Sequence, residues 1–326
     1  AALEYSWLKR LVACNCAMRV MTAPIAPAPT NDISAERREN VEMLVASGMR
    51  AQLRSGNLLT GQLVVSLDLF KNAAPANPRA RGGRPLELLG TTVLPGSSRR
   101  LAWSGGQAFD GTSGESPVLI VNGVGNGPTL CLTGAIHGDE LNGIEMIRRV
   151  LQDLDPARVN GAVIGVPIVN LQGFRRGSRY LPDRRDLNRY FPGNSTGSSA
   201  SRIAASLFES IIRNCDGLVD IHTGSLNRTN LPQLRADLRN ARVRKFANGF
   251  GAFTVLHSPG VIGTLRRAAT DSGIPAVTLE AGEPGRLQST QVREGTTGIV
   301  RLLDALGIER GVLVQPSIYA ADNRAM

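Results

Sequence analysis

The sequence predicts an α/β fold, with a mostly parallel or mixed central sheet covered by helices on both faces. Two observations predict it. From about residue 82 onward, short apolar runs of strand length alternate with amphipathic stretches of helical period. Three chemically capable residues, His137, His222 and Glu280, each fall directly after one of those runs. In such sheets functional groups gather at the carboxyl ends of strands.

Taken in order, residues 1–31 are irregular and end in an Ala/Pro stretch, Ala23 to Pro29, that reads as linker. A helix is expected from about Ser34, with helix formers over 36–52 and Val41, Leu44, Val45 and Met49 on one face, broken by Gly56. Residues 61–69 alternate as a strand does. The Ala-, Pro-, Arg- and Gly-rich stretch from Asn72 to Pro85 marks a boundary near residue 82. Beyond it, strands are expected at 118–121, 129–136, 162–169, 218–221 and 276–279. Helices are expected at 141–154, at 198–214 with Ser198 or Ser199 as cap, and at 239–249, 264–271 and 292–306. Residues 170–197 read as one long loop. The domain plan is therefore 1–31 irregular, 32–82 an appendage with its linker, 83–310 the main domain, and 311–326 a tail.

Composition narrows the function. Aromatic residues make up 4% of the chain, too few for stacking platforms on single-stranded nucleic acid. The net charge of +10 calls for anionic ligands, but the arginines are scattered apart from a cluster between Arg175 and Arg189. A small anionic substrate is expected, and neither nucleic acid nor membrane. Four cysteines form no CxxC pair, so a structural zinc ribbon is excluded. Cys131 and Cys215 lie in apolar stretches and read as buried thiols, which suits a reducing, cytoplasmic setting. Leu11-Val12-Ala13-Cys14 is not read as a lipoprotein signal, because Lys9 and Arg10 leave no apolar region before it.

The chain has three histidines. His137 opens His137-Gly138-Asp139-Glu140, where a turn through Gly138 aims the imidazole and a carboxylate at one point. Asp139 is the alternative ligand to Glu140. His222, after Val219-Asp220-Ile221, supplies a third ligand and leaves a fourth position for water, as in catalytic His₂Glu zinc sites. Zinc suits two imidazoles and one carboxylate, with cobalt or manganese as substitutes. Hydrolysis by zinc-activated water also needs a carboxylate to take the water proton and pass it to the leaving amine. Glu280 is placed for that role, with Glu283 its nearest competitor. His257 lacks a partner motif and reads as a pocket-lining or core histidine. In the arginine-dense loop, Arg179, Asn188 and Arg189 are the candidates to grip a substrate carboxylate and to steady an oxyanion.

Four motifs occur in this order: His137-Gly138-Asp139-Glu140, Asp186-Leu187-Asn188-Arg189, Asp220-Ile221-His222-Thr223-Gly224 and Leu279-Glu280-Ala281-Gly282. Together they resemble the succinylglutamate desuccinylase/aspartoacylase family, a branch of the zinc carboxypeptidase superfamily, over about residues 86–310. The resemblance implies a three-layer α/β/α zinc-carboxypeptidase-like fold. It implies one zinc ion held by His137, Glu140 and His222, with Glu280 as base. It further implies Asn188 and Arg189 on the substrate carboxylate and Arg179 on the scissile carbonyl. The implied reaction is hydrolysis of the amide, or ester-like acyl, bond of a small N-acyl amino acid. A peptide carboxypeptidase is the enzymic alternative. Similar members continue into a C-terminal β domain, so most of that domain is expected to be missing from a chain ending at Met326. Separately, about residues 31–75 resemble the late part of a paraquat-inducible, mammalian-cell-entry-type intermembrane transport protein. That resemblance motivates a non-enzymic alternative, an envelope lipid-transport component.

Overall fold

The computed structural model describes Leu44 and residues 49–57, 62–69, 83–106 and 114–308. The chain divides into two compact units, Ala1–Ala80 and Arg81–Met326. In the first, strands β1 (Met49–Asn57) and β2 (Gln62–Leu69) pair antiparallel, with Met49 opposite Leu69. The end of the helix expected over 36–52 is thereby corrected, because Met49 to Gln52 are strand. Helix propensity is a weak prior, and pairing with β2 satisfies the same backbone groups. Gly56 does not end an element; the register slips beside it, between Ser55 and Asn57, as at a bulge. Leu44 is helical. The rest of that helix, the 1–31 segment and the 311–326 tail lie outside the described residues.

The second unit starts with a short hairpin, β3 (Leu86–Leu88) and β4 (Thr91–Val93). Its sheet is built from β5 (Ser97–Ser104), β6 (Glu115–Asn122), β7 (Gly125–Thr133), β8 (Asn160–Val166), β9 (Gly217–His222), β10 (Asn230–Ala236), β11 (Thr254–His257) and β12 (Ala276–Gly282). The spatial order is β11-β10-β12-β9-β7-β8-β6-β5. The central neighbours β12, β9, β7 and β8 are parallel, while β10 and β6 flank them antiparallel. The sheet is mixed around a parallel middle, as expected.

The helices are α1 (Asn142–Asp153), the short α2 (Leu171–Arg175), α3 (Ser199–Ser210), α4 (Ala241–Asn248), α5 (Leu265–Asp271) and α6 (Ser289–Ala305). The expected loop over 170–197 contains α2 and a 3₁₀ turn at Leu187–Arg189. Ser198 caps α3, accepting a hydrogen bond from the Ser201 amide.

Two cores show that both sheet faces are covered. Met146 and Val150 of α1, Val243 and Phe246 of α4, and Ile299 and Leu302 of α6 pack with Leu132, Val219 and Val277. On the other face, Ile203 and Leu207 of α3 and Leu265 and Ala269 of α5 pack with Cys131, Leu218 and Ala276. Every residue of β9 and β12 is buried, which explains their unbroken apolar runs. Strand alternation then fixes the site's side: Asp220 and His222 share the face of Leu218, and Thr278 and Glu280 that of Ala276. All four project toward the face that α5 covers.

Cys131 and Cys215 are buried, but they are joined in a disulfide rather than left as thiols. Cys131 on β7 registers with Leu218 on β9, which brings Cys215 to a Cα separation of 5.8 Å despite a sequence separation of 84. No described helix is long and apolar enough to cross a membrane.

Candidate active site

Strand β7 ends at Thr133, and the chain leaves it through Gly134 and Ala135, whose φ of 45° places a non-glycine residue in the left-handed region. The bend is held by the Val169 and Asn170 amides, which donate to Gly134 and Ala135 carbonyls. A turn follows in which the Glu140 amide donates to the His137 carbonyl at 3.1 Å, folding the Glu140 side chain back beside the imidazole. Gly138 is needed there, since a Cβ would lie 2.0 Å from the Gly173 carbonyl carbon at α2.

His137, Glu140 and His222 converge, with one ligand atom from each lying within 4.8 Å of the others. Glu140 Oε1 is 2.8 Å from His137 Nδ1, and Glu140 Oε2 is 2.7 Å from His222 Nδ1. The two Nδ1 atoms are 3.2 Å apart. Their outer nitrogens face carboxylates: His222 Nε2 lies 2.9 Å from Asp220 Oδ2, and His137 Nε2 3.1 Å from Asp186 Oδ1. A carboxylate only accepts, so each Nε2 is held as a donor to its aspartate, and Nδ1 is the nitrogen that faces Glu140 and that a metal ion would take once it is deprotonated. Two imidazole Nδ1 atoms and a carboxylate, all buried, thus meet at one point. The donor set fits a divalent metal ion. The electrostatics agree. Burial resists charge on Glu140, yet His222 and His137 pull its pKa down to about 2. Burial also disfavours a charged His222, but Asp220 and Glu140 hold it well above its ordinary value. Asp139 points elsewhere: its Oδ1 is buried with no partner, and burial followed by the Glu140 charge raises its pKa.

Glu280 belongs to β12 and is buried. Its Oε2 accepts from Asn230 Nδ2 at 2.7 Å, and its Oε1 faces Arg235 Nε at 3.4 Å. The competitor Glu283 instead accepts from Thr229 Oγ1 at 2.6 Å and does not line the cleft. Arg179 reaches inward from the long loop, donating from Nη1 to Glu140 Oε1 at 3.1 Å and from Nη2 to Asp186 Oδ2 at 3.3 Å. Asn188 is buried, and its Oδ1 accepts from the Leu265 amide at 2.8 Å, which leaves its NH₂ for the cleft. Arg189 is half-exposed beside it, bonded to the Asn188 carbonyl.

All the residues singled out by the sequence, His137, Glu140, His222, Glu280, Arg179, Asn188 and Arg189, line one cleft of about 270 Å³. His257 does not. It is an exposed residue whose Nδ1 accepts the Leu238 amide, which corrects the pocket-or-core expectation. The structure also adds residues the sequence did not mark. Asp186 and Asp220 orient the imidazoles, and burial notwithstanding, His137, Arg179 and Arg189 hold the Asp186 carboxyl well below the carboxylate range. Asn230, Arg235 and Arg266 line the cleft as well.

The fold and site define an α/β domain with a buried His₂Glu cluster at the carboxyl ends of adjacent parallel strands. The family model described as the succinylglutamate desuccinylase/aspartoacylase catalytic domain matches residues 126–306, and the chain belongs to that family. A curated relative, the N-alpha-acetyl-L-2,4-diaminobutyric acid deacetylase of Halomonas elongata, is 34% identical over 142 residues, 42% of this chain and 41% of that protein. The succinylglutamate desuccinylase of Pseudomonas paraeruginosa is 29% identical over 174 residues, 53% of this chain and 48% of that one. The chain thus spans about half the length, or less, of these relatives. Among solved structures, a succinylglutamate desuccinylase/aspartoacylase from Rhodobacter sphaeroides aligns with a TM-score of 0.58 at 31% identity, covering 65% of this chain and 66% of that one. The product-bound ectoine utilization protein of Ruegeria pomeroyi aligns with a TM-score of 0.59 at 28% identity, covering 66% and 69%.

Proposed function

We propose that this chain is a zinc-dependent deacylase that hydrolyses the amide, or ester-like acyl, bond of a small N-acyl amino acid. The observation that carries the reading is the convergence of His137 Nδ1, His222 Nδ1 and the Glu140 carboxylate next to Glu280. Held by those three residues, zinc supplies Lewis acidity for a carbonyl oxygen and for water at neutral pH. Glu280 is the base. Its Oε2 is tied to Asn230, so Oε1 is the oxygen that takes a proton from water and returns it to the leaving nitrogen. Asn188 NH₂ and Arg189 hold a substrate carboxylate. Arg179, already anchored on Glu140 and Asp186, offers its remaining N–H groups to the acyl oxygen.

The size of the cleft, about 270 Å³, suits an amino-acid-sized ligand. The named activities of the relatives, deacetylation of an acetylated diaminobutyrate and desuccinylation of succinylglutamate, point to the same reaction class. The test is a panel of N-acyl amino acids and short peptides offered to zinc-loaded protein. Release of free amino acid from the N-acyl compounds supports the proposal. Cleavage confined to C-terminal peptide residues would replace it with a carboxypeptidase.

A further inference from the structure

Asn142 is a fully buried amide that the proposed chemistry leaves unused. It opens α1, two positions after Glu140. An asparagine near a helix start ordinarily turns back to cap its own helix. Here α1 has no side-chain cap, and the Asn142 amide reaches across to the end of β12 instead. Its Nδ2 donates to the Ala281 carbonyl at 3.0 Å and to Gln288 Oε1 at 3.1 Å, and its Oδ1 accepts from the Gln288 amide at 2.9 Å. The backbone partners fix which end of the side chain is which, because a carbonyl only accepts and a peptide N–H only donates. Gln288 Oε1 is fixed in turn, since it also accepts from the Glu283 amide at 2.8 Å. The node is close-packed: at Gly282, whose φ is +81°, a Cβ would lie 2.2 Å from Gln288 Oε1 and 2.5 Å from Asn142 Nδ2.

This node lies where the segments that carry the site meet. Strands β9 and β12 hold His222 and Glu280 in one register, so those two residues form one rigid half. His137 and Glu140 form the other half. They lie beyond the paired part of β7, whose last partner on β9 is Asp220, opposite Thr133. Sheet hydrogen bonds therefore do not set the ligand turn against β9 and β12. Asn142 bridges the gap, from the residue pair after Glu140 to the carbonyl of the residue after Glu280. Three backbone amides assist: Gly285 donates to the Asp139 carbonyl at 2.8 Å, Gly224 to the Gly282 carbonyl at 2.9 Å, and Thr223 to Glu140 Oε2 at 3.3 Å. Gly143 permits the approach, since a Cβ there would come 3.0 Å from Ile221 Cγ2, directly before His222. A buried polar network with its members satisfied is rigid, and removing one member orphans the others.

We propose that Asn142, locked by Gln288, is a positioning residue that sets His137 and Glu140 against His222 and Glu280. The inference rests on the metal reading above and adds to it the residue that fixes the spacing between the two halves of the site.

Three variants test it. N142L stays close in shape but loses both hydrogen-bonding ends, and Q288M does the same at Gln288. Q288E keeps an acceptor for the Asn142 and Glu283 N–H groups, and a carboxylate at the start of α6 suits the helix dipole. Zinc affinity is measured by competition with a chelator, and the visible spectrum of cobalt(II)-loaded protein reads the ligand geometry. N142L and Q288M are expected to weaken zinc binding by about tenfold or more and to alter the cobalt spectrum, while Q288E keeps the wild-type spectrum and an affinity within about threefold. A purely structural amide would lower Tm and leave the affinity and spectrum of the folded protein unchanged, and that result overturns the proposal. Equal losses in Q288E and Q288M overturn it as well. Should N142L fail to fold, the partly buried Gln288 and its two variants decide the matter. Neither readout needs a substrate, so the outcome is independent of the deacylase reaction. A wild type that binds neither metal removes the metal reading and this inference with it, whereas variants that match a metal-binding wild type remove the inference alone.

Discussion

Glu280 lies in direct register with His222, Cα opposite Cα across the parallel strands β12 and β9. Neighbouring strands run about 4.8 Å apart, so the proposed proton carrier and a proposed metal ligand are set side by side by sheet hydrogen bonds rather than by a loop. Both strands are buried throughout. The antiparallel strand β10 completes the frame, since Asn230 at its start binds Glu280 Oε2.

That separation of duties gives the first prediction. Glu280→Gln preserves size and the contact to Asn230 but removes the proton acceptor. It should retain bound zinc, measured by elemental analysis, while kcat falls by roughly 10²–10⁴-fold. An active variant would remove Glu280 as the base.

The second prediction concerns Asp186 and Asp220. Each accepts the outer N–H of one imidazole, and Asp220 is itself steadied by Thr133 Oγ1 at 2.9 Å. Asp186→Asn and Asp220→Asn should each weaken zinc binding by roughly 10–100-fold in competition with a chelator, without unfolding the domain. Unchanged affinity in both would mean that the aspartates do not set the imidazole orientation.

The two aspartates mark how far the sequence can be read. Asp186 and Asp220 stand inside motifs that are plain in the sequence, yet spacing alone does not say that they reach the far nitrogens of His137 and His222. The strand ends were legible because β7, β9 and β12 are buried on both faces and read as continuous apolar runs. Strand β10 was not, because Asn230-Leu231-Pro232-Gln233 carries a proline and polar residues at the flank of the parallel core. Strand β11 has four residues, none of them fully buried. With β10 unread, Asn230 and Arg235 could not be placed beside Glu280. Arg266 looks in sequence like its neighbour Arg267, which pairs with Asp271 on the surface, and only burial separates them. The cysteine reading failed for a related reason: a sequence separation of 84 hides the adjacency of β7 and β9.

The third prediction is a pH dependence of cation binding. Glu140, held at about 2, stays ionised through the whole working range, so it does not govern acid release of the ion. The imidazoles do, because a ligand must be deprotonated to bind. In the ion-free protein His222 is held well above its ordinary value, so near neutrality it carries a proton that the metal must displace. Apparent zinc affinity should therefore rise with pH across the neutral range and fall below it. Calorimetry in buffers of different ionisation enthalpy should record proton release on binding. A flat profile without proton release would argue against the imidazoles as ligands.

The last prediction tests the turn that presents His137 and Glu140. A Cβ at Gly138 would sit 2.0 Å from the Gly173 carbonyl carbon and 2.1 Å from the Phe174 nitrogen, both backbone atoms that cannot rotate away. Gly138→Ala must therefore push the turn and α2 apart. Overpacking of this kind costs about 1–3 kcal/mol. The core beneath the site is formed by other elements, so the domain should still fold with a lowered Tm. The displacement falls on the segment that carries two of the three proposed ligands, and metal geometry tolerates errors of only about 0.2 Å. Zinc affinity should then drop more steeply than stability, and the stabilisation expected from zinc in the wild type, about 4 kcal/mol at a thousandfold excess over Kd and read as a rise in Tm, should shrink or vanish in the variant. Melting curves of both proteins with and without zinc decide it. An undiminished zinc-dependent rise in the variant would show that the approach of α2 does not position the turn.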